Sequence, residues 1–261
     1  MSYYPMLNAP NCKGWVTLCN FAPNNWEITT SGEKYINVTW ASGDVWRTQL
    51  IGKLEPGQMR KIVASELDAL VPKLVLPLLS LSSTVLPPTS EKLPLTEQKT
   101  TAMPAWRATL GLSTDTASTS YQGELDPFPA IGSLLTFGPF LQFGSSIENY
   151  LIFLNIERSP VERAAVVEIF DAESMRSRGK MTVCNNRANV IELNRLGFGE
   201  SELPVVVCKG MSGIPLYFSA TSDGRCLSLE HTHPPASLVI HGKRLEVQRM
   251  LKKRWLARAG A

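Results

Sequence analysis

Apolar side chains recur at every second position in short runs along this chain, and that period belongs to a pleated strand with one buried face. Tyr35-Ile36-Asn37-Val38-Thr39-Trp40 alternates apolar and polar residues and predicts a half-buried strand. Trp15-Val16-Thr17-Leu18-Cys19-Asn20-Phe21 is short, apolar and β-branched, and predicts another. Ala41-Ser42-Gly43-Asp44 then supplies turn chemistry, and Val45 to Leu54 reads as the next strand. Glu55-Pro56-Gly57-Gln58 has proline second and glycine third, as a β-turn prefers, so Met59 to Val63 reads as the return strand.

The second half repeats this order. Tyr150-Leu151-Ile152-Phe153-Leu154-Asn155-Ile156 matches the run from Trp15 to Phe21, and both carry an asparagine beside the last apolar residue. Ala165 to Phe170 matches Ile36 to Trp40, and Arg178 to Val183 matches Thr48 to Leu54. Ala188 to Leu193 matches Arg60 to Leu67, and Leu203 to Val207 matches Val71 to Leu76. The elements recur at an offset of roughly 130 residues, which is the signature of an internal duplication. Each sheet must bury its apolar face against another, so many short strands separated by Gly/Pro turns predict β-sandwiches.

Two segments break the pattern. Residues 83–122 are rich in Ser, Thr and Pro and read as a connecting arm between the units. From Lys243 to Arg258 there is no Pro or Gly, and Leu245, Met250, Leu251, Trp255 and Leu256 fall on one side at helical period. Lys243, Arg244, Arg249, Lys252, Lys253, Arg254 and Arg258 cover much of the remainder. The expectation is a basic amphipathic helix docked on the sandwich through Trp255. The predicted fold is therefore mainly β: two similarly built antiparallel β-sandwich units, at 1–82 and 123–242, with the arm at 83–122 and a C-terminal α-helix at 243–261.

The run from Leu151 to Ser219 resembles the sensory rhodopsin transducer family. The likeness rests on the strand ending in Asn155, on Val166-Val167-Glu168-Ile169-Phe170-Asp171, on Val190-Ile191-Glu192-Leu193-Asn194-Arg195-Leu196 and on Pro204-Val205-Val206-Val207. It covers about a quarter of the chain, through short apolar motifs. The resemblance implies a small soluble β-sandwich with a carbohydrate- or ligand-binding role. The family is shorter than this chain and lacks both a His-containing loop and a basic helix.

Composition narrows the picture without adding a motif. Of 261 residues, 44% are hydrophobic and 19% charged, enough for a real core and too few charges for a disordered chain. The formal net charge of +3 is no strong nucleic-acid signal. The start lacks a basic segment followed by an apolar one. The apolar stretch from Val71 to Pro88 is broken by Pro72, Lys73, Pro77 and Pro87, so no transmembrane helix is expected. Five cysteines at irregular spacings, with no CxxC pair, read as reduced residues in a cytoplasmic protein.

Several clusters could carry chemistry. Ser228-Leu229-Glu230-His231-Thr232-His233-Pro234-Pro235 holds two of the three histidines. In a strand His231 and His233 share a face, and with the carboxylate of Glu230 or Glu124 they would form a mixed set suited to a divalent metal such as Zn, Fe or Mn. The bland alternative is a surface turn. Tyr121, Gln122 and Glu124 follow the arm and could stack on and hydrogen-bond a sugar. Gly210-Met211-Ser212-Gly213 lets backbone approach a ligand, with Met211 and Tyr217 alongside. No P-loop, dinucleotide fingerprint, HExxH or EF-hand loop is present. The sequence thus points away from an enzyme. It favours a ligand-binding or assembly protein whose partner is a glycan or another protein, in a homo-oligomer or as a complex subunit. A metal-dependent enzyme and a structural subunit of a larger complex are the alternatives.

Overall fold

The alternating runs become strands, and the strands fall into antiparallel sheets. The computed structural model describes residues 3–20, 32–94, 109–122, 125, 127–231 and 244–259. Two compact units are present. The first holds residues 1–127 with the short runs 156–162 and 186–188; the second holds the remainder of 128–261.

In the first unit the strands are β1 (Tyr4–Pro5), β2 (Lys13–Cys19), β3 (Lys34–Ser42), β4 (Val45–Leu54), β5 (Met59–Val63), β6 (Leu78–Ser82), β7 (Thr89–Ser90), β8 (Thr109–Ser113) and β9 (Ser118–Gln122). They form one sheet in the order β1-β6-β3-β4-β7 and another in the order β5-β2-β8-β9. Val16, Leu18, Ile62, Leu110 and Leu112 on one sheet and Ile36, Val38 and Leu79 on the other are buried, so the core lies between them. Gly57 adopts φ +81 in the β4–β5 turn, where a side chain would be strained. A short 3-10 turn, Ala64–Glu66, follows β5, and Glu66 Oε1 accepts from Val63 N at 3.0 Å.

In the second unit the strands are β10 (Ser133–Phe137), β11 (Ile147–Asn155), β12 (Ala164–Asp171), β13 (Ser177–Cys184), β14 (Arg187–Glu192), β15 (Pro204–Lys209), β16 (Ile214–Thr221) and β17 (Leu227–His231), followed by helix α1 (Arg244–Arg258). The sheets run β10-β15-β12-β13 and β14-β11-β16-β17. Leu151, Phe153, Val167, Ile169, Val206 and Tyr217 meet in the core between them. A 3-10 turn, Asn194–Leu196, follows β14.

The strand orders are the same twice over. Reading β10, β15, β12 and β13 for β1, β6, β3 and β4, and β14, β11, β16 and β17 for β5, β2, β8 and β9, converts one unit into the other, with β7 the only addition among the described residues. Even the 3-10 turn recurs at the same place. The repeat seen in the sequence is therefore a repeat of topology.

Two expectations need correcting. The strand equivalent to β15 is β6, not residues 71–76. Pro72 and Pro77 deny that stretch ladder donors, and it winds into turns through Val71 N to Leu67 O and Val75 N to Pro72 O, at 2.9 and 3.3 Å. The 83–122 stretch is more than a connecting arm, because β7, β8 and β9 lie within it and β8 pairs with β2. Its serines and threonines occupy strands whose leucines, Leu110 and Leu112, point into the core. Gly111 is required there: a Cβ would lie 2.6 Å from the Trp15 ring and would also strike Thr119 O. Trp15 thus lies flat on β8, with Lys61 Nζ 4.4 Å from its ring centroid.

Candidate functional site

The helix is the part of the molecule whose chemistry is least used up by folding. Trp255 and Ala259 of α1 are buried with Leu135, Phe170, Val205 and Val207, the residues on β10, β12 and β15 that face away from the second unit's core. The Trp255 ring meets Phe137 edge-on at 6.4 Å and Phe170 at 5.6 Å. Lys252 lies half-buried beside them, donates to Ser133 O at 2.6 Å, and has its pKa lowered by desolvation. These contacts fix the rotation of the helix.

That rotation points Arg249, Lys253, Arg254 and Arg258 into solvent, together with Met250, which is 58% exposed. None of these cations forms an ion pair among the described residues. Arg249 and Lys253, and likewise Arg254 and Arg258, sit four apart, about 6 Å along the axis. Like charges at that spacing cost a helix roughly 0.2–0.5 kcal/mol per pair. The helix C-terminus offsets this for Arg254 and Arg258, less so for Arg249 and Lys253. The outcome is two pairs of exposed cations, Arg249 with Lys253 and Arg254 with Arg258, set about 140° apart around the helix on either side of Met250 and supported from behind.

The residues singled out from the sequence do not come together. Glu230 and His231 end β17, where Glu230 pairs with Tyr217 and His231 with Leu216. Neighbours in a strand point to opposite faces, so the exposed Glu230 and half-buried His231 do not address one ion. His233 and Glu124 lie outside the described residues. Among the described residues, no group of three or more His, Cys, Asp and Glu is placed to hold a metal. Tyr121 and Gln122 are the last residues of the edge strand β9 and pair with Leu110 and Thr109. Met211 and Tyr217, read as ligand-binding, are core residues at 0% and 1% exposure. The loop before β16 closes tightly, since a Cβ on Gly213 would lie 2.5 Å from Leu154 O. Burial raises the ionisation of the Tyr217 phenol far above its ordinary range, and the ring packs edge-on to Phe140 at 5.7 Å.

A second polar assembly escaped the sequence reading. Asn37 and Thr39 of β3, Thr48 of β4, and Ser80 and Ser82 of β6 share the outward face of the first unit's larger sheet, yet all are buried. Alternation predicts those positions to be wet; their side-chain hydroxyls and amide were the only signal that the face is specialised. At its edge, Trp46 Nε1 and Leu93 N both donate to Arg158 O, at 2.9 and 2.8 Å.

No helix among the described residues is long and apolar enough to cross a membrane. Comparison of the chain with protein-family models, curated proteins and solved structures finds no match.

Proposed function

We propose that this chain is a non-catalytic binding and assembly protein, and that it holds an acidic segment of a partner protein on the exposed face of α1. The observation that supports this is the set Arg249, Lys253, Arg254 and Arg258, exposed, unpaired among the described residues and carried on a helix locked by Trp255. Two pairs of exposed cations on a backbone already held in place attract carboxylates without the helix first having to be ordered. Their modest extent, on a chain of net charge +3, favours a short acidic peptide over a nucleic-acid backbone. The likeness of residues 151–219 to the sensory rhodopsin transducer family supports a binding role as well. No disulfide joins the cysteines among the described residues, which supports a reducing, cytoplasmic setting.

Calorimetric titration of the full chain with a Glu/Asp-rich peptide tests the reading. Binding is expected, weakening steeply with salt. Replacing Arg249, Lys253, Arg254 and Arg258 together with glutamate is expected to weaken it at least about tenfold while leaving the thermal melt in place. Equal binding by both proteins, or no binding of the peptide, would overturn it. So would preferential binding of duplex DNA or anionic vesicles over the peptide.

A further inference from the structure

The buried polar assembly on the first unit's outward sheet face is incompletely bonded. Asn37 Nδ2 donates to Ser82 Oγ at 2.8 Å and to Tyr35 O at 3.1 Å. Ser82 Oγ donates onward to Thr84 O at 2.7 Å, and the Thr39 and Thr48 hydroxyls meet at 3.1 Å. Left over are Asn37 Oδ1 and Ser80 Oγ, both buried and without a hydrogen-bond partner among the described residues. These residues are 1% and 0% exposed and directly opposite one another across the β3–β6 ladder. Facing residues in such a ladder have Cβ atoms about 4.5–5.5 Å apart. Ser90 Oγ, on β7 opposite Trp46, is a third buried atom near the same face without a partner among the described residues.

Native structures rarely leave such atoms unbonded; in the second unit Asn155 Oδ1 and Ser212 Oγ are buried without a partner among the described residues as well, whereas a neighbouring asparagine is fully bonded. Asn149 in the second unit is equally buried. Its Oδ1 accepts from Ser219 Oγ at 2.7 Å and its Nδ2 donates to Gln142 O at 2.8 Å. An amide oxygen that only accepts, set beside a hydroxyl that can both donate and accept, can be met together by a single atom that donates to one and accepts from the other. A hydroxyl oxygen does so, donating to Asn37 Oδ1 and accepting from Ser80 Oγ. The register neighbours of the pair, Tyr35, Thr39, Leu50, Leu78 and Ser82, are uncharged, so nothing there would balance an ion.

We propose that Asn37 Oδ1 and Ser80 Oγ form a buried binding site for one neutral hydroxyl group, supplied either by an ordered water or by a small polyol. The site is independent of the helix and of any acidic partner.

A high-resolution crystal structure of the full chain, purified without polyols and then soaked in glycerol, tests it. The expected result is density within hydrogen-bond distance of both atoms. A single-atom peak unchanged by the soak assigns the hydroxyl to water, and a multi-atom peak, as purified or after the soak, assigns it to a polyol. Empty density, or side chains turned so that each atom bonds to protein, would overturn the proposal. A double-mutant cycle supplies a second reading. If both atoms hold one guest, Asn37→Val and Ser80→Ala are coupled, and the double variant shifts the melting midpoint little further than the worse single one. Additive shifts would overturn it.

Discussion

The same sheet occurs twice in this molecule, and its outward faces have opposite characters. In the second unit Leu135, Phe170, Val205 and Val207 make an apolar surface, and α1 covers it with Trp255 and Ala259. In the first unit the equivalent strands present Asn37, Thr39, Thr48, Ser80 and Ser82, buried and partly joined by hydrogen bonds, beside the apolar Trp46 and Leu78. Strand order and inner core are common to both, so topology does not dictate what an outer face accepts. The decision rests on alternate positions of β3 and β6 against those of β12 and β15. Hydrophobic side chains there call for an apolar cover, whereas hydroxyls and an amide call for directional partners.

Removing the cover should produce the largest effect. Trp255→Ala is expected to cost about 3–5 kcal/mol in chemical denaturation, because it empties the contact with Phe137 and Phe170. A loss below about 1 kcal/mol, within the range of a single hydrogen bond, would show that the apolar face does not need its helix. Exchanging character between the two faces should act more weakly. Val207→Thr keeps the shape but puts a hydroxyl among apolar neighbours, at an expected cost of about 1–3 kcal/mol. Thr39→Val strands the Thr48 hydroxyl and should cost about 0.5–1.5 kcal/mol. If each face instead tolerated the other's chemistry with no change in urea midpoint, the contrast between them would carry no energetic weight.

The smallest effect concerns the hairpins at the sheet ends. In the first unit β3 turns into β4 over Gly43, which takes φ +65. In the second, β12 turns into β13 over a longer loop held by Asp171. Burial alone would raise the Asp171 pKa, but the Ser174 hydroxyl and amide and the Leu203 amide outweigh it, and the value falls below the ordinary 3.8. A carboxylate with a depressed folded pKa stabilises fully above its unfolded pKa, and that contribution is lost as pH falls through the folded one. The second unit should therefore lose stability on acidification below about pH 4, and Asp171→Asn should flatten that part of the profile. An identical acid limb in both proteins would assign the effect to other carboxylates.

Period-two alternation made the strands, their order and the repeat readable, because a buried face imposes itself on every second residue of β2, β3, β11 and β12. The helix was readable for the same reason at its own period, including Trp255 as its anchor. The edge strand β9 was hidden because an edge strand tolerates Ser and Thr, so Ser118-Thr119-Ser120 resembles a linker by composition. The polar outer face was hidden because alternation distinguishes core from non-core but does not report that the second face is also buried. The burial of Met211 and Tyr217 was not legible, because a glycine-flanked loop and a tyrosine have the same local sequence whether they open to a ligand or close on a core. Glu230 and His231 were separated by strand geometry, which a sequence-adjacent pair conceals unless a turn intervenes.

The docking of α1 also has a consequence in time. Leu135 and Trp255 are roughly 120 residues apart in the chain, a distant pairing that forms late. At a synthesis rate of about 5–20 residues per second, the slab of Phe170, Val205 and Val207 emerges from the ribosome seconds before the segment that shields it. During that interval the nascent second sandwich carries a bare greasy patch, so a chaperone's attention, or aggregation in its absence, should be concentrated on that one surface.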